Sequence, residues 1–431
     1  MPKPSASATR QSSHTGSDLR GISRLTTEAI TGMTDLVEAL HATIMRLPSP
    51  VGTLDSEPAK GIAGVVYKSV RGMTRLTGNG VDLALSRLSP LLDRFGTPAS
   101  RDAVVAALNG VVGDHLEATG NPLAIDMRLR SGGRPLTLKR KVLATEFPDA
   151  SATLLVLAHG LCMNDVQWRY GGHDHGAALA RDLDCTPVYL HYNSGRHVSS
   201  NGRDFSALLQ RLVREWPVPV QRIRIVAHSM GGLVARSACH AATQAGHDWV
   251  QYLDKMIFLG TPHHGAPLER AGSSIDRLFG VSPYIAPFAR LGKIRSAGIQ
   301  DLRHGNVLEN DWQDRDGDGH QDGRAPLPLP KGVRCYAVAV STQKAAVASI
   351  DMDDGRLSGD GLVPIRSALG EHPDRRFDLR IPEARRWIGY SINHLELLGN
   401  DSVYRHLKKW LSSVAPVRVP NSSHAGRSPS L

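Results

Sequence analysis

Short apolar segments recur through the middle of the chain and alternate with stretches of helical periodicity. Five of them predict buried strands, namely TLLVLAH at 153–159, PVYLHY at 187–192, IRIVAH at 223–228, KMIFLGT at 255–261 and VRCYAVAV at 333–340. Strands that alternate with helices are typical of parallel βαβ units. Before them, LAIDMRLR and LTLKRKVLAT alternate around SGG, which predicts a hairpin from about residue 124. The chain is therefore expected to be α/β, with a mostly parallel, doubly wound sheet and helices on both faces.

The first 120 residues carry a different periodicity. Apolar residues recur every three or four positions in about 18–46 and in 62–88, and Ser100 begins a third such segment. This spacing predicts helices, so we expect an N-terminal helical region at 18–120 and the α/β unit at 121–412. The segments 1–17 and 413–431 are rich in Ser, Pro, Ala and Gly and are expected to be disordered. Residues 266–332 exceed an ordinary connection, which predicts an insertion.

Composition narrows the function classes. The net charge is +10, but basic and acidic residues are interleaved, which disfavours nucleic acid as a partner. The four cysteines show no metal-ligand or redox spacing, so no metal site is expected. We find neither an apolar run of signal-peptide length near the start nor a run of about eighteen apolar residues. A cytoplasmic protein is expected, either soluble or in peripheral contact with a membrane.

The segment IRIVAHSMGGLVARSACH places a serine where a strand becomes a helix. Ile223, Ile225 and Val226 fit a buried strand, and the apolar residues after Ser229 recur at helical spacing. Small residues on both sides, Ala227 and the glycine at 231, allow a tight turn that exposes the serine as a nucleophile. The simpler interpretation is that Ser229 is only the N-cap of the following helix, since serine is a favoured capping residue.

A serine nucleophile needs a base and an acid, and in folds with such an elbow these follow it in the order acid, then histidine. Asp360, in the loop LSGDGLVP after a predicted strand, is the expected acid, and His394, just before an amphipathic helix, is the expected base. The rival acids are Asp351, Asp353 and Asp354, in a segment more typical of a solvated loop. The rival bases are His263 and His264, which precede Asp360 in the chain, and His406, within the last helix.

The negative charge that develops on an attacked carbonyl needs two fixed N–H donors. The residue after the nucleophile normally supplies one and a loop after an early strand the other. These rules predict an oxyanion hole formed by the backbone N–H groups of Met230 and Leu161, the latter in LAHGLCMND. His159, in the same loop, is expected to hold the loop's shape by hydrogen bonding rather than to act in catalysis.

Five motifs in order, AHGLCMND, AHSMGGLVAR, LGTPHHGAPLE, GDGLVPIRSA and INHLELLGNDSVYRHLKKWL, resemble bacterial triacylglycerol lipases and esterases of the α/β-hydrolase superfamily. More distantly they are similar to the inositol deacylases that act on GPI lipids. The resemblance covers about residues 150–412 and none of the first 120. It implies an α/β-hydrolase fold, a triad of Ser229, Asp360 and His394, and a lid over an acyl pocket formed by 266–332. Such an enzyme needs no cofactor and acts on a small-molecule or lipid ester.

Two alternatives to ester hydrolysis stay open at this point. An acyltransferase or thioesterase would use the same triad, and a non-catalytic lipid-surface protein could retain a vestigial hydrolase domain. The segment DRDGDGHQDGRA also has the first positions of a calcium loop, but Ala325 stands at the twelfth position, where calcium loops have a bidentate glutamate. A solvated acidic turn is the preferred interpretation there. The ester, its chain length and the oligomeric state do not follow from the sequence.

Overall fold

The computed structural model describes residues 98–118, 120–121, 123–266, 296–313, 323–344 and 359–413. Its strands are β1 Arg128–Ser131, β2 Arg134–Pro135, β3 Thr153–Ala158, β4 Arg169–Tyr170, β5 His173–Asp174, β6 Thr186–His191, β7 Arg222–His228, β8 Leu253–Leu259, β9 Arg334–Ser341 and β10 Arg386–Tyr390. Its α-helices are α1 Pro98–Ala118, α2 Arg140–Glu146, α3 His175–Asp182, α4 Val198–Glu215, α5 Met230–Ala245, α6 Ala297–His304, α7 Asn310–Gln313, α8 Ile365–Ala368 and α9 Asp401–Ser412. The helices predicted within 18–88 and, apart from Ser413, both predicted disordered ends lie outside the described residues.

Within this described part, the main sheet has eight strands in the order β10-β9-β8-β7-β3-β6-β1-β2. The strands from β10 to β6 pair in parallel, whereas β1 pairs antiparallel with β6 and with β2. The central strands are buried along their length, which explains their nearly continuous apolar sequence. The predicted α/β architecture with a mostly parallel sheet is confirmed.

Two sequence-based expectations about strands are wrong. The predicted second arm of the hairpin forms only as β2, and the segment after Lys139 is the helix α2, in which Leu143 is buried. The segment RFDLRI at 376–381, which the sequence predicts as the last strand, is not a strand either, although its apolar residues are buried, because Arg380 has a φ of 50° that breaks an extended conformation. The last strand is instead RWIGY, which forms β10 at the edge of the sheet.

Helices cover the sheet on both faces. One core cluster joins the sheet to α1, α4 and α5, and a second joins the opposite face to α3 and α9. Ala107, Leu108, Val111 and Leu116 of α1 belong to the first cluster, so this helix packs on the α/β unit. None of the described helices is long and apolar enough to cross a membrane.

A buried lysine joins the sheet to the last helix. Lys255, in β8, is fully buried, and its Nζ donates to the carbonyl oxygens of Trp410, at 2.6 Å, and Leu411, at 3.3 Å. It also donates to the carbonyl oxygen and the hydroxyl of Ser413. The ammonium thus caps the C-terminal end of α9, where carbonyl groups lack intrahelical donors and carry partial negative charge.

Candidate active site

Ser229 lies between β7 and α5 in a strained backbone conformation, with φ of 53° and ψ of −126°. Only small residues fit around the turn, because a Cβ on Gly231 would lie 2.6 Å from the carbonyl oxygens of Ala158 and His159. The Ser229 side chain makes no capping hydrogen bond to α5, contrary to the simpler N-cap interpretation. A non-glycine residue in this conformation is uncommon and is retained where the surrounding structure holds it.

Asp360 and His394 are brought together in the structure, as the sequence predicts. His394 Nδ1 lies 2.6 Å from Asp360 Oδ2, and both side chains are buried. Asp360 Oδ1 accepts the N–H groups of Leu362 at 2.9 Å and Val363 at 2.8 Å. Because the carboxylate accepts from Nδ1–H, the lone pair of the neutral imidazole is on Nε2, where a general base needs it.

The neighbour of the serine ties the His394 loop to the elbow. His228, immediately before Ser229, has its Nε2 3.0 Å from the backbone oxygen of His394, and the two rings lie 4.7 Å apart. Burial and the nearby His394 hold the pKa of His228 well below its usual value, so its ring is neutral and Nε2–H donates. The Ser229 hydroxyl has no hydrogen-bond partner among the described residues, and such catalytic contacts commonly tighten only in the substrate complex.

Two glycines let these groups approach, and sequence reasoning did not single them out for this reason. A Cβ on Gly160 would lie 3.0 Å from Ser229 Cβ and 3.1 Å from His228 Nδ1. A Cβ on Gly260, which has φ of 57°, would lie 3.1 Å from both Asp360 Oδ2 and His394 Cε1. Both glycines occur in the motifs AHGLCMND and LGTPHHG, and this was the available signal for them.

The predicted oxyanion donors are buried beside this elbow. Met230 is the first residue of α5, where an N–H has no intrahelical acceptor, and Leu161 follows Gly160. Within the part of the chain that the structure describes, neither the Leu161 nor the Met230 N–H donates to a protein group. Two N–H groups without protein acceptors beside the nucleophile are the requirement for an oxyanion site.

His159 takes the supporting position that the sequence predicts. Its Nδ1 lies 2.8 Å from the Gly160 oxygen, and its ring stacks on Tyr192, whose hydroxyl donates to the His159 oxygen at 2.8 Å. Burial lowers the pKa of His159 to about 3, so the ring is neutral. These contacts fix the path of the chain into Leu161.

A charged network, of which only Asp165 falls within a sequence motif, lies behind the same loop. Arg130 of β1 donates to Asp165 at 2.8 Å and to Asp102 of α1 at 2.9 Å, and His191 Nδ1 lies 3.4 Å from Asp165. Burial alone would raise the pKa of Asp165, but the nearby His191 and Arg130 lower it. Since Asp165 follows the loop 159–164, this network connects the loop to α1.

The remaining candidates are placed as follows. Among the described residues, no hydrogen bond joins His263 or His264 to Ser229. His406 lies in α9, where its ring stacks on Trp387. The rival acids Asp351, Asp353 and Asp354 and the calcium-like residues Asp314, Asp316, Asp318, Gly319 and Asp322 lie outside the described residues. Of the predicted lid, 267–295 and 314–322 also lie outside them. A search of the described residues finds no group of three or more His, Cys, Asp or Glu that could hold a metal ion.

Comparison with known proteins gives one family. Residues 155–317 match the family model described as the PGAP1-like alpha/beta domain, and no curated protein matches the chain. With the sheet order, this match confirms the predicted α/β-hydrolase fold and the resemblance to PGAP1-like hydrolases. The matched segment contains β7, the elbow with Met230 and the loop with Leu161, whereas Asp360 and His394 lie beyond it.

Solved structures of bacterial lipases and esterases resemble the chain distantly. The Bacillus licheniformis lipase BlEst2 in mature form is 16% identical, with 66% of this chain and 98% of that chain covered and a TM-score of 0.40. Its propeptide form is 17% identical, with 67% of this chain and 54% of that chain covered, also at 0.40. The chain thus spans about half the length of the propeptide form. EstA from Clostridium botulinum is 13% identical, with 62% of this chain and 88% of that chain covered and a TM-score of 0.38.

Proposed function

We propose that this α/β hydrolase is a serine hydrolase that cleaves carboxylic esters through an acyl-enzyme. The observation that carries the proposal is the buried hydrogen bond of 2.6 Å between His394 and Asp360, in a loop that His228 ties to the strained Ser229 elbow. A serine, a carboxylate and an imidazole in this chain order are the parts of a nucleophilic triad. No cofactor is required for this chemistry.

In the proposed reaction, Ser229 Oγ attacks the ester carbonyl while its proton passes to His394 Nε2. The carbonyl oxygen gains negative charge, which the N–H groups of Leu161 and Met230 stabilise. His394 then gives the proton to the leaving alcohol, and the acyl group stays on Ser229. Water, deprotonated by His394, attacks this acyl-enzyme in the second half, and the carboxylic acid leaves as Ser229 recovers its proton.

The surroundings of Asp360 support its part in this cycle. Its Oδ1 is occupied by two backbone N–H donors, so only Oδ2 is available to orient the histidine. The carboxylate stabilises the imidazolium that forms when His394 takes the serine proton. The backbone N–H of His394 also donates to the Asp360 oxygen at 3.2 Å, which holds the two loops in register.

We propose lipid or medium-to-long-chain acyl esters as the substrate class. The support is the sequence of the insertion 266–332, in which IDRLFGVSPYIAPFARLGKI carries apolar residues at helical spacing and two prolines. The insertion follows β8, so it begins at the carboxyl ends of the parallel strands, where Ser229 also lies. An apolar segment there would line an acyl pocket. Phe279 and Phe288, the two aromatic anchors of this proposal, lie outside the described residues.

Active-site labelling and hydrolysis by the full-length chain test the proposed function. A fluorophosphonate probe should label Ser229, and Ser229→Ala should lose labelling and about a million-fold in turnover. Ser237→Ala, a buried serine in the same helix, is the matched control and should keep both. Thermal unfolding checks that each variant is folded. If folded Ser229→Ala still hydrolyses esters, the proposed nucleophile is wrong.

Product analysis separates hydrolysis from the alternatives. Incubation with an acyl ester plus a competing alcohol or thiol should release free carboxylic acid as the main product. A dominant transacylation product would identify an acyltransferase that uses the same triad. No labelling and no turnover, in a folded protein that binds vesicles, would favour the non-catalytic surface protein.

A further inference from the structure

A fully buried histidine outside the triad begins helix α3. The Nε2 of His175 lies 2.9 Å from the backbone oxygen of Leu397, and its Nδ1 lies 2.9 Å from His173 Nε2. Because a carbonyl oxygen can only accept, Nε2 carries the proton and donates it to Leu397. Burial lowers the pKa of His175 to about 4, so the ring is neutral and its Nδ1 accepts from His173 Nε2–H.

The position of His175 is fixed by strand β6. Asp174, directly before it, accepts the N–H of Ala177 at 3.0 Å as the N-cap of α3, and it also accepts the hydroxyl of Tyr189, in β6, at 2.7 Å. Gly176, directly after it, lets the helix approach this strand, because a Cβ there would overlap the Tyr189 hydroxyl. The imidazole is therefore held against the sheet and not on a free loop.

The oxygen that accepts from His175 belongs to the loop that carries the proposed base. Asn393 Oδ1 accepts the N–H groups of Leu395 and Glu396, both at 3.0 Å. In return, Glu396 Oε2 accepts the N–H of Asn393 at 2.7 Å. These reciprocal hydrogen bonds close one turn around His394, so a shift of the Leu397 backbone moves His394 with it.

The side chain of Leu397 reaches the acid and the base themselves. It is fully buried, and its Cδ1 lies 2.7 Å from the position that a Cβ on Gly260 would take. The same position lies 3.1 Å from Asp360 Oδ2 and from His394 Cε1. Leu397, the carboxylate and the imidazole thus converge on Gly260, and displacement of Leu397 disturbs the hydrogen bond of 2.6 Å between Asp360 and His394.

We propose that His175 is a positioning residue for His394. Its Nε2–H holds the Leu397 oxygen, and with it the His394 loop, at the place where His394 Nδ1 meets Asp360. His173 keeps His175 in the required tautomer by donating to Nδ1. The contact joins residues 222 positions apart and acts from the face of the sheet opposite α5. This inference rests on the proposed function, because it takes His394 as the base.

Steady-state kinetics of full-length variants distinguish positioning from simple stabilisation. His175→Leu removes the donor and should lower kcat about a hundred-fold, the cost of misplacing a catalytic group by on the order of 1 Å, with little change in KM. His175→Gln keeps an amide N–H that can donate to the Leu397 oxygen and should restore most of kcat. His175→Asn, whose shorter amide does not reach this oxygen, gives the same test if the leucine variant does not fold.

His247→Leu is the matched control. It breaks a ring hydrogen bond of similar length, 2.8 Å to Ser206 Oγ in α4, in a different part of the molecule. This substitution should lower Tm without changing kcat, which is the result expected wherever a histidine only stabilises the fold.

Proton NMR gives a second readout that needs no ester substrate. The Nδ1 proton between His394 and Asp360 should resonate far downfield of the amide protons, because it lies in a short hydrogen bond to a carboxylate, and its loss in His394→Ala identifies it. In His175→Leu this resonance should shift or broaden, whereas His175→Gln and His247→Leu should keep it.

An unchanged kcat in folded His175→Leu, or a downfield resonance that does not move in this variant, would overturn the positioning role. Absence of both hydrolysis and labelling in the parent protein would instead refute the proposed function. In that case the resonance would still decide whether His175 holds His394 against Asp360.

Discussion

Gly110 of α1 lies directly against Cys162, the residue after the proposed oxyanion donor Leu161. A Cβ at position 110 would overlap Cys162 Sγ and would lie 2.8 Å from its Cα and 2.9 Å from its nitrogen. Cys162 itself has φ of 59°, and its N–H donates to Ser194 Oγ at 2.9 Å. The helix before the α/β unit therefore supports the oxyanion loop, and we propose that α1 belongs to the catalytic unit rather than to a separate helical domain.

Gly110→Ala should consequently lower kcat more than it lowers affinity for substrate. Alanine is the better helix former by about 1 kcal/mol, so an isolated helix would gain stability, but here the methyl group must push the loop away. A displacement of the donor on the order of 1 Å costs about a hundred-fold in rate. Measurement of kcat and KM, with urea unfolding in parallel, checks this.

Cys162→Gly offers a rescue, because glycine removes Sγ and tolerates a positive φ. The double substitution should recover part of the lost kcat, and the coupling between the two sites should exceed additivity. An unchanged kcat in the folded Gly110→Ala variant would show that α1 does not support the loop.

Asp360→Asn should preserve the fold and slow turnover about ten-thousand-fold. An amide at this position cannot hold His394 in the tautomer with a free Nε2 lone pair, and it cannot stabilise the imidazolium. Asp353→Asn, one of the rival acids, is the control and should behave as an ordinary surface change. Turnover measured across pH, together with Tm, distinguishes lost catalysis from lost stability. Full activity of Asp360→Asn would reassign the acid.

Acid should destabilise the protein steeply below about pH 6.5. Four buried histidines, His159, His175, His228 and His263, and the half-buried His264 have their pKa values lowered chiefly by desolvation. The unfolded chain binds protons at these rings near pH 6.5, whereas the folded chain does not, so the stability present at neutral pH is lost as the pH falls. For His175, whose folded pKa is about 4, the loss by pH 5 is about 2 kcal/mol.

Urea unfolding at a series of pH values measures this loss. His175→Gln removes one such group and should reduce the slope of unfolding free energy against pH by about 1 kcal/mol per unit between pH 4 and 6. A slope that does not change would mean that His175 takes up a proton in the folded state.

Substrate preference should follow acyl length if the insertion lines the acyl pocket. Each buried methylene contributes about 0.8 kcal/mol, so efficiency should rise with chain length until the pocket is full. Values of kcat/KM for p-nitrophenyl esters from roughly two to sixteen carbons measure the profile. Replacing Phe279 and Phe288 together by Ala should flatten it, whereas Val142→Ala, at an exposed position, should not. A profile that falls steadily from acetate would leave a small-ester hydrolase.

The sequence predicted those parts of the fold that local pattern controls. The central strands are buried on both faces and form continuous apolar runs, so β3, β6, β7, β8 and β9 were predicted correctly. The second hairpin arm failed because Arg140–Glu146 is rich in helix formers, whose local preference exceeded the alternation. The true edge strand, Arg386–Tyr390, is only partly buried and shows no alternation to find.

The candidate site divides in the same way. Chain order and turn chemistry led to Ser229, Asp360 and His394, and the structure brings the last two into contact. The contacts that hold the site's loops in place could not be predicted from the sequence, because they join residues far apart in the chain. Arg130 contacts partners 28 and 35 residues away, and His228 contacts a residue 166 positions later. A pattern read along the chain carries no information about such pairs.

The buried ammonium of Lys255 also bears on the order in which the protein can mature on the ribosome. Its strand β8 lies in the interior of the sheet, yet the carbonyl oxygens that accept its hydrogen bonds belong to residues 410–413, about 155 positions later in the chain. Until those residues leave the exit tunnel, burying β8 would leave Lys255 Nζ without its acceptors. Burial lowers the pKa of Lys255 to about 7, so a nascent chain that already contains every other strand of the sheet would either bury this side chain as a neutral amine or keep the centre of the sheet hydrated. The native contacts of Lys255 form only after residues 410–413 have emerged.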